Sequence, residues 1–352
     1  MKKQVAVALS IAVTGAVQAG GIERTSQSVG ILFEVGRYAE FSIGSVSPKV
    51  SGVVTGSSLA SGNMAADYTS LSLGYKQPIG KNLDIALIID EPVGANVSYP
   101  ASATPYPLAG ATATLDSTAY TGLMRYKFPN KMSLIGGFRL QSLGGKVDLP
   151  GPYKLRVAQD KQLGYVAGVA YEKPEIALRA SLTYNSEIKH TFNDVKENDN
   201  VSVPFSTTIP KSVNLEFQSG VAKDTLVFGS VRWVEWSKFD ITPYGYFTSQ
   251  NDSLADSKND KTTYNLGVGR RLNDKWSAAV SLGYEASSGV VVGNLSPTDG
   301  SKSIGLGVSY KMKKTKVTAG VRYVKVGDAK TSFATFKDNS AVGFGIKVGH
   351  TF

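Results

Sequence analysis

The sequence predicts an all-β protein, a 14-stranded antiparallel transmembrane β-barrel with a short N-terminal plug, or hatch, in its lumen. Three observations predict it: stretches in which apolar and small or polar residues alternate, connections that alternate between short and long, and an export signal at the start. No apolar run approaches the roughly 18 residues that a membrane helix needs. Any membrane spans of the mature chain must therefore be strands.

Residues 1–19 predict a signal peptide. Lys2 and Lys3 form a basic tip, an apolar stretch follows, and the small residues Val17 and Ala19 precede the expected cleavage site. An ordinary buried strand or helix is the alternative. The chain contains no cysteine, which excludes disulfides, thiolate ligands and cysteine nucleophiles. No cluster of His, Asp and Glu has the spacing of metal ligands, so neither a metal nor another cofactor is expected.

Residues 20–36 predict the plug. This segment, GGIERTSQSVGILFEVG, does not alternate and is too apolar to hang free in the periplasm. We expect it to fold back into the barrel and to place a set of apolar side chains against the inner wall, namely Ile22, Val29, Ile31, Leu32 and Phe33. An irregular first strand is the alternative.

Residues 37–352 predict the barrel. Six tight polar turns connect strands, at IGKNLD, FPNKMS, YEKPEI, VAKDTL, LNDKWS and KMKKTK, and seven longer connections lie between them. These links join 14 strands, and an even number with turns of alternating length is typical of outer-membrane barrels. The strands are expected to begin near residues 37, 67, 83, 113, 131, 153, 175, 201, 224, 261, 275, 300, 316 and 339.

Alternation within the strands assigns one face to lipid and the other to a lumen. In WSAAVSLGYEA, Trp276, Val280 and Leu282 alternate with small polar residues such as Ser277 and Ser281. A sandwich core would need large apolar side chains on the second face as well. Aromatic residues beside the short turns indicate a membrane girdle, although aromatics are common in all strands; they are Tyr126, Phe128, Tyr171, Trp276, Tyr310 and Phe352.

Several segments resemble a known family. GGIERTSQSVGILFEVGRYAEFSIGSVSP, ALRASLTYNSEIKHTF and PKSVNLEFQSGVAKDTLVFGSVRWVEWSKF, above all around Trp233 and Trp236, resemble the FadL family of outer-membrane transporters for long-chain fatty acids and other hydrophobic molecules. The resemblance covers essentially the whole mature chain. It implies a 14-stranded barrel, an N-terminal hatch, and a terminal aromatic residue, here Phe352, recognised by the barrel assembly machinery. Family members commonly carry Asn-Pro-Ala where this chain has Ser47-Pro48-Lys49.

The resemblance implies uptake of long-chain fatty acids or other hydrophobic small molecules through the outer membrane. Ligand would be captured at extracellular loops and passed through a gated lumen by a monomer surrounded by outer-membrane lipids and lipopolysaccharide. In the family, a wall opening at the third strand serves as a lateral exit. The aligned residues are Glu91, Pro92, Val93 and Gly94. Pro92 cannot donate a backbone hydrogen bond to a neighbouring strand, and Gly94 weakens strand pairing, so we expect the strand to kink there. The alternative is that Pro92 ends the strand.

Alternation also places charged side chains in the lumen, the acids Glu187 and Glu216 and four arginines, Arg125, Arg139, Arg179 and Arg322. Any of these arginines suits a ligand carboxylate, which a guanidinium binds in bidentate fashion. The alternative is that the arginines and acids only neutralise one another. Phe33 of the plug is the further candidate for ligand binding or gating.

Other functions fit the sequence less well. A general diffusion porin for small polar solutes is the alternative function, but the apolar hatch disfavours it. An enzyme is not expected, because only His190 and His350 are available as imidazole bases, no Gly-x-Ser-x-Gly element is present, and His190 is interpreted as a surface residue. The net charge of +10 favours an anionic membrane surface. Nucleic acid is not expected, because the basic residues are not clustered with aromatics.

Overall fold

The structure is a computed structural model that describes residues 21–352. The predicted signal peptide, residues 1–19, lies outside the described residues. Fourteen long strands form one antiparallel sheet that closes into a barrel when the last strand pairs with the first, from Tyr38 opposite Thr351 to Lys49 opposite Ser340. The predicted all-β class and the 14-stranded antiparallel barrel are confirmed.

The strands follow one another around the barrel in chain order. They are β1 (Tyr38–Lys49), β2 (Tyr68–Ile79), β3 in two parts (Leu83–Asp90 and Gly94–Ser98), β4 (Thr112–Lys127), β5 (Met132–Asp148), β6 (Lys154–Lys173), β7 (Leu178–Asn185), β8 (Ser212–Ala222), β9 (Thr225–Val234), β10 (Lys261–Arg271), β11 (Trp276–Glu285), β12 (Ser301–Met312), β13 (Thr315–Val326) and β14 (Ser340–Thr351).

The connections at the outer end of the barrel carry short elements. The strands there are Gly52–Val54, Ile188–Phe192, Val195–Glu197, Asn200–Val201, Phe205–Ile209, Asp240–Ile241, Ala255–Asp256, Ala329–Lys330 and Ala334–Phe336. One α-helix, α1 (Tyr244–Gln250), lies in the connection from β9 to β10. Short 3-10 turns lie in the outer connections at Ala101–Ala103 and Trp236–Lys238, in the N-terminal segment at Gly30–Phe33, and between β6 and β7 at Pro174–Ile176. None of the helices in residues 21–352 has the length and apolar character of a membrane span.

One predicted strand start is wrong. The eighth strand begins at Ser212 rather than near residue 201, whereas the other starts lie within three residues of their predicted positions. The residues from Phe205 to Ile209 do alternate, but they pair with Ile188–Phe192 to form a hairpin above the barrel. Pro210 follows this hairpin and lacks a backbone N–H, so it separates the hairpin from the barrel strand.

The two faces of the barrel differ as predicted. On β11, Leu282 is 59% exposed on the outside, whereas its neighbours Ser281 and Ser277 point inward and are buried. The predicted girdle residues lie at the end that carries the short turns, where Trp276 packs on Tyr310 with ring centroids 4.6 Å apart. The outer surface is therefore apolar across its middle, as contact with acyl chains requires.

Residues 21–36 lie inside the barrel. The 3-10 turn Gly30–Phe33 directs apolar side chains against inward-facing residues of β3 to β6, in a cluster of Val29, Ile31, Leu32 and Phe33 with Ala86, Leu123, Ile135, Val166 and Ala170. Ile22 instead packs on an apolar cluster at the outer end. The assignment of residues 20–36 as a functional plug stays a prediction.

The lipid-facing assignment is tested at Leu282. An arginine near the bilayer midplane of a membrane barrel costs about 2–4 kcal/mol. We expect Leu282→Arg to lower the free energy of unfolding from lipid vesicles by that amount, measured by urea titration with tryptophan fluorescence. Leu282→Met is the control and should leave the free energy nearly unchanged. Equal stability of the arginine variant and the wild type would show that Leu282 does not face lipid.

Candidate functional site

The third strand is broken at Glu91, Pro92 and Val93. Both parts of β3 pair with β4, but the ladder between β2 and β3 ends at the pair Leu73 and Ile89. Farther out, the connection before β2 pairs with the second part of β3 through a short bridge between Ala65 and Val97. Tyr68–Ser72 of β2 thus face a stretch of wall without ladder partners on β3. The break coincides with the predicted kink.

The N-terminal segment supplies hydrogen bonds that the broken strand lacks. The backbone N–H of Arg24 donates to the Pro92 carbonyl at 2.9 Å, and the N–H of Gly94 donates to the Ile22 carbonyl at 2.7 Å. Val93 is bonded on the other side by Ser117, whose Oγ accepts from its N–H and donates to its carbonyl. Buried backbone groups need such partners, so the break depends on the segment beside it.

A buried ion pair holds this segment to the opposite wall. Glu23 bridges Val93 through its backbone, and its carboxylate accepts a hydrogen bond of 2.5 Å from Arg232 Nε on β9. Both side chains are about 6% exposed. Arg232 also donates to Asn214 Oδ1 at 2.6 Å and to Ser212 Oγ at 3.0 Å. We call the pair of Glu23 and Arg232 the latch.

Arg24 lies against the break itself. Its guanidinium stacks over the Tyr68 ring at 4.8 Å, donates to Asn96 Oδ1 at 3.2 Å and lies 3.5 Å from the Glu91 carboxylate. A Cβ at position 94 would lie 2.2 Å from Arg24 Cζ. Gly94 is therefore required for the close approach of Arg24, in addition to weakening the strand as predicted.

The predicted lumen arginines have different surroundings. Arg125 is neutralised at the periplasmic end by Asp84 at 2.9 Å and Glu172 at 2.6 Å, as in the alternative that the sequence left open. The Phe33 ring lies between the guanidinium groups of Arg125 and Arg179, at 4.5 and 4.7 Å. These contacts bring three of the predicted site residues together at the inner end of the plug segment.

The other two arginines lie higher in the barrel. Arg139 is buried and donates to Thr121 Oγ1 at 3.0 Å. Arg322 borders a separate polar chamber on the other side of the barrel. Glu216 lines that chamber as predicted, whereas the inward assignment of Glu187 is wrong. β7 ends at Asn185, so Glu187 lies beyond the ladder and is exposed.

An apolar cavity of about 120 Å³ lies at the outer end of the barrel, and we call it the outer pocket. Wall residues such as Val97 and Leu115 line one side, and Ile22 closes part of its base. The outer connections contribute two aromatic pairs, Phe192 with Phe205 and Trp236 with Phe239, with ring centroids 5.3 and 5.8 Å apart. Such a lining favours a hydrophobic ligand.

A second cavity of about 330 Å³, the mid-barrel chamber, lies beside the N-terminal segment. Its walls combine polar groups, with Ser281, Ser303 and Asn265 among them, charged groups, and apolar side chains such as Ile88 and Phe228. Ile22 lines the outer pocket, whereas Arg24 and Thr25 line the chamber. The segment is thus a boundary between an apolar and a polar compartment.

An exposed apolar patch lies above the outer pocket. Val201 is 86% exposed, and Val203, Tyr244 and Phe247 are also exposed. Glu197 joins the two connections that carry them, because it accepts hydrogen bonds from the backbone N–H groups of residues 245 and 246 and from two hydroxyls. Burial alone would raise the pKa of Glu197, but these hydrogen bonds hold that pKa below its usual value.

His190 is not a surface residue, so that interpretation was wrong. It is fully buried, because the hairpin Ile188–Phe192 folds over β6, and its Nδ1 lies 3.0 Å from Asp160 Oδ2. Burial lowers the pKa of His190, and the Asp160 carboxylate partly opposes this effect. Within residues 21–352, no three His, Asp or Glu side chains are arranged to hold a metal ion.

Sequence reasoning missed Glu23 and Arg232. The signal for Arg232 was available, because the alternation of β9 places it on the same inward face as Leu226 and Val234. Glu23 carried no comparable signal. Its partner lies 209 positions away in the sequence, and the plug segment has no period from which its facing could be read.

A closed barrel with an apolar exterior, an internal N-terminal segment and an apolar outer pocket defines an outer-membrane channel for hydrophobic compounds. The chain belongs to the family of outer membrane transport proteins described as OMPP1/FadL/TodX, whose profile matches residues 38–349. Members of this family are transport channels of the outer membrane. No curated protein sequence matches the chain.

Solved structures share the fold at low identity. A FadL homologue from Pseudomonas aeruginosa is 13% identical, with a TM-score of 0.74 and 92% of each chain covered. The toluene transporter TodX of Pseudomonas putida is 11% identical, with a TM-score of 0.67, and the match covers 96% of this chain and 98% of that one. The monoaromatic hydrocarbon channel CymD is 12% identical, with a TM-score of 0.62 and coverage of 96% and 97%.

The latch is tested by removing one charge. Loss of one partner of a buried ion pair costs about 3–5 kcal/mol, and Arg232 keeps its bonds to Ser212 and Asn214. We therefore expect Glu23→Gln to cost about 3 kcal/mol locally, and amide hydrogen exchange in residues 22–27 to accelerate about a hundredfold. Exchange should be measured by mass spectrometry on protein in detergent.

Glu175→Gln is the matched control. Glu175 forms an exposed pair with Lys131 at a short turn, and exposed pairs contribute little. Its exchange pattern should equal that of the wild type. Unchanged exchange in the Glu23 variant would mean that the ion pair does not hold the segment in place.

Proposed function

We propose that this protein takes up long-chain fatty acids or other hydrophobic small molecules, and that the break in β3 is their lateral exit. The observation that carries the proposal is the contact between the break and the outer pocket. Ala95 and Val97, just beyond the break, line the pocket, and Ile22 lines it while bonding Gly94. An apolar ligand in the pocket is thus separated from the wall opening by the N-terminal segment.

The first step of the proposed route is capture at the outer surface. The patch of Val201, Val203, Tyr244 and Phe247 offers apolar contacts above the pocket. Exposed apolar patches of this kind mark binding sites. A ligand held there passes to the outer pocket, where Phe192, Phe205, Trp236 and Phe239 surround it.

The second step is exit through the wall. Each buried CH₂ group contributes about 0.8 kcal/mol, so moving an acyl chain from the outer pocket to the charged and polar groups of the mid-barrel chamber is unfavourable. The membrane beside β2 and β3 provides an apolar destination. The residues that gate this route are Ile22, Glu23 and Arg24, together with Glu91, Pro92, Val93 and Gly94, which border the break.

Monoaromatic hydrocarbons are the second candidate ligands. The aromatic pairs of the outer pocket favour flat apolar rings, which pack edge-to-face on such side chains. TodX is a toluene transporter and CymD is a monoaromatic hydrocarbon channel. A diffusion porin is disfavoured, because the segment of residues 21–36 spans the lumen from the break to β9.

We also propose that the barrel acts as a monomer among outer-membrane lipids and lipopolysaccharide. Phe352 follows β14 directly and is 56% exposed. This position makes it accessible to the barrel assembly machinery during insertion.

Uptake by cells tests the function and the pocket together. Cells lacking the protein should lose uptake of radiolabelled oleate, toluene or both, and the wild-type chain should restore it. We expect Val97→Asp to abolish the restored uptake, because a carboxylate in the outer pocket is poorly solvated. Val53→Asp is the control, since Val53 is 41% exposed on an outer connection. Uptake of both compounds without the protein would refute the proposed function.

A reversible lock tests the exit. The chain contains no cysteine, and Glu23 and Val93 form an antiparallel bridge, a geometry that brings two Cβ atoms within reach of a disulfide. We expect oxidised Glu23→Cys/Val93→Cys protein to lose ligand uptake at least tenfold, and dithiothreitol to restore it. The reduced variant is the control, because it lacks the Glu23 carboxylate of the latch but has no disulfide. Equal uptake in the two redox states would exclude movement of the segment from the break.

A further inference from the structure

We infer that the mid-barrel chamber contains a binding site for small organic carboxylates, centred on Arg322. This site is separate from the outer pocket. The chamber extends from Arg322 to Arg24 and Ser72 beside the break in β3, and the proposed site occupies its Arg322 side. It concerns the polar compartment, which the proposed route of hydrophobic ligands does not use. The inference therefore stands or falls independently of the exit mechanism.

Arg322 faces the chamber from β13. Its two ladder partners are Gly305 and Gly343, which lack side chains that would cover the guanidinium. Nη1 donates to Asn265 Oδ1 and to Ser303 Oγ, both at 3.2 Å, and Nη2 donates to Ser281 Oγ at 3.5 Å. These three acceptors are neutral and the distances are long for hydrogen bonds.

The charge of Arg322 is not balanced within the described chain. Among residues 21–352, no carboxylate lies within 4.0 Å of its guanidinium, and its buried Nε has no hydrogen-bond partner. By contrast, Lys347 across the same chamber lies 2.7 Å from Glu40, and Arg232 is paired in the latch. Arg139 and Arg179 also lack a carboxylate within 4.0 Å in residues 21–352, but the charges of Asp90 and Glu216 act on them, whereas no carboxylate offsets the burial of Arg322.

An unbalanced guanidinium in a partly buried site is costly unless an anion joins it. Its planar fork matches a carboxylate, which accepts two parallel hydrogen bonds. The loosely held Nη groups are available for this purpose. Ser281, Ser303 and Asn265 place further donors around the same point, and the chamber has about 330 Å³ for the rest of the molecule.

Glycines keep this cradle open. A Cβ at position 283 would lie 2.4 Å from Ser303 Oγ and 3.3 Å from Arg322 Nη1. A Cβ at position 305 would lie 2.7 Å from Ser281 Oγ. Alanine at either position would displace the hydroxyls that surround the guanidinium. The hydroxyl and amide groups around the guanidinium suit a carboxylate head, and apolar side chains such as Ile88 and Phe228 line other parts of the chamber.

The test uses purified mature protein in detergent with sodium hexanoate and its neutral counterpart 1-hexanol as probes. We expect isothermal titration calorimetry to show hexanoate binding at least tenfold more tightly than hexanol, because charge-assisted hydrogen bonds are the strong ones. Arg322→Gln should abolish this preference, and Arg322→Lys should retain part of it, since lysine keeps the charge and loses the fork.

Two further variants guard against misfolding and non-specific charge effects. Gly283→Ala keeps Arg322 but fills the cradle, and it should weaken hexanoate binding about tenfold. Arg156→Gln removes an arginine paired with Asp148 outside the chamber and should change nothing. A folded barrel migrates differently on a denaturing gel before and after heating, and this difference in mobility checks that every variant forms the barrel.

Three results would overturn the inference. Equal affinity for hexanoate and hexanol in the wild type would exclude a head-group site, and an intact preference in Arg322→Gln would place the site elsewhere. Competition of hexanoate by inorganic phosphate but not by acetate would replace the carboxylate with a phosphate ligand. If cells failed to take up the hydrophobic compounds while the purified protein still bound hexanoate, the proposed function would be refuted and the carboxylate site would stand.

Discussion

The structure depends on one constraint: a backbone group that faces lipid must find its hydrogen-bond partner within the protein. Closure of the sheet between β1 and β14 meets this constraint around nearly the whole wall. The break in β3 violates it locally, and the N-terminal segment compensates from the inside. Arg24 and Ile22 bond the backbone on either side of Val93, and Ser117 bonds Val93 itself. The weakest part of the wall and the plug segment are therefore one structural unit.

The same segment explains why the interior holds two different compartments. Its apolar residues face the outer pocket and the inner cluster around Phe33, whereas Arg24 and Thr25 face the chamber. Charges in the lumen are mostly paired, as for Arg125 with Asp84 and for the latch. For Arg322, no carboxylate in residues 21–352 offsets the burial, and our inference of a ligand site there rests on this difference.

The fold was largely predictable, because a strand between lipid and lumen has a period of two that can be read residue by residue. The inward and outward faces of β11 followed from this rule, and the break at Pro92 followed from the backbone properties of Pro92 and Gly94. The start of β8 was not predictable, since Phe205–Ile209 alternates equally well in an outer hairpin. The latch was not predictable either. Glu23 acquires its role only when the segment crosses the lumen to β9, and no local pattern encodes that contact.

In the proposed mechanism, occupancy of the outer pocket and the state of the wall are coupled through adjacent residues. Ile22 lines the pocket, and the next residue, Glu23, both bridges Val93 and carries the latch. A ligand that displaces Ile22 must therefore strain the bridge and the ion pair at the same time. The ligand can shift the equilibrium between the seated and the displaced segment only by the difference between its binding free energies for these two states. Breaking the latch costs about 3–5 kcal/mol, so the ligand must prefer the displaced state by at least that amount. An acyl chain gains this free energy by burying about four to six CH₂ groups. Such a gate opens for long apolar chains and stays closed to small polar solutes, because these gain little from the pocket.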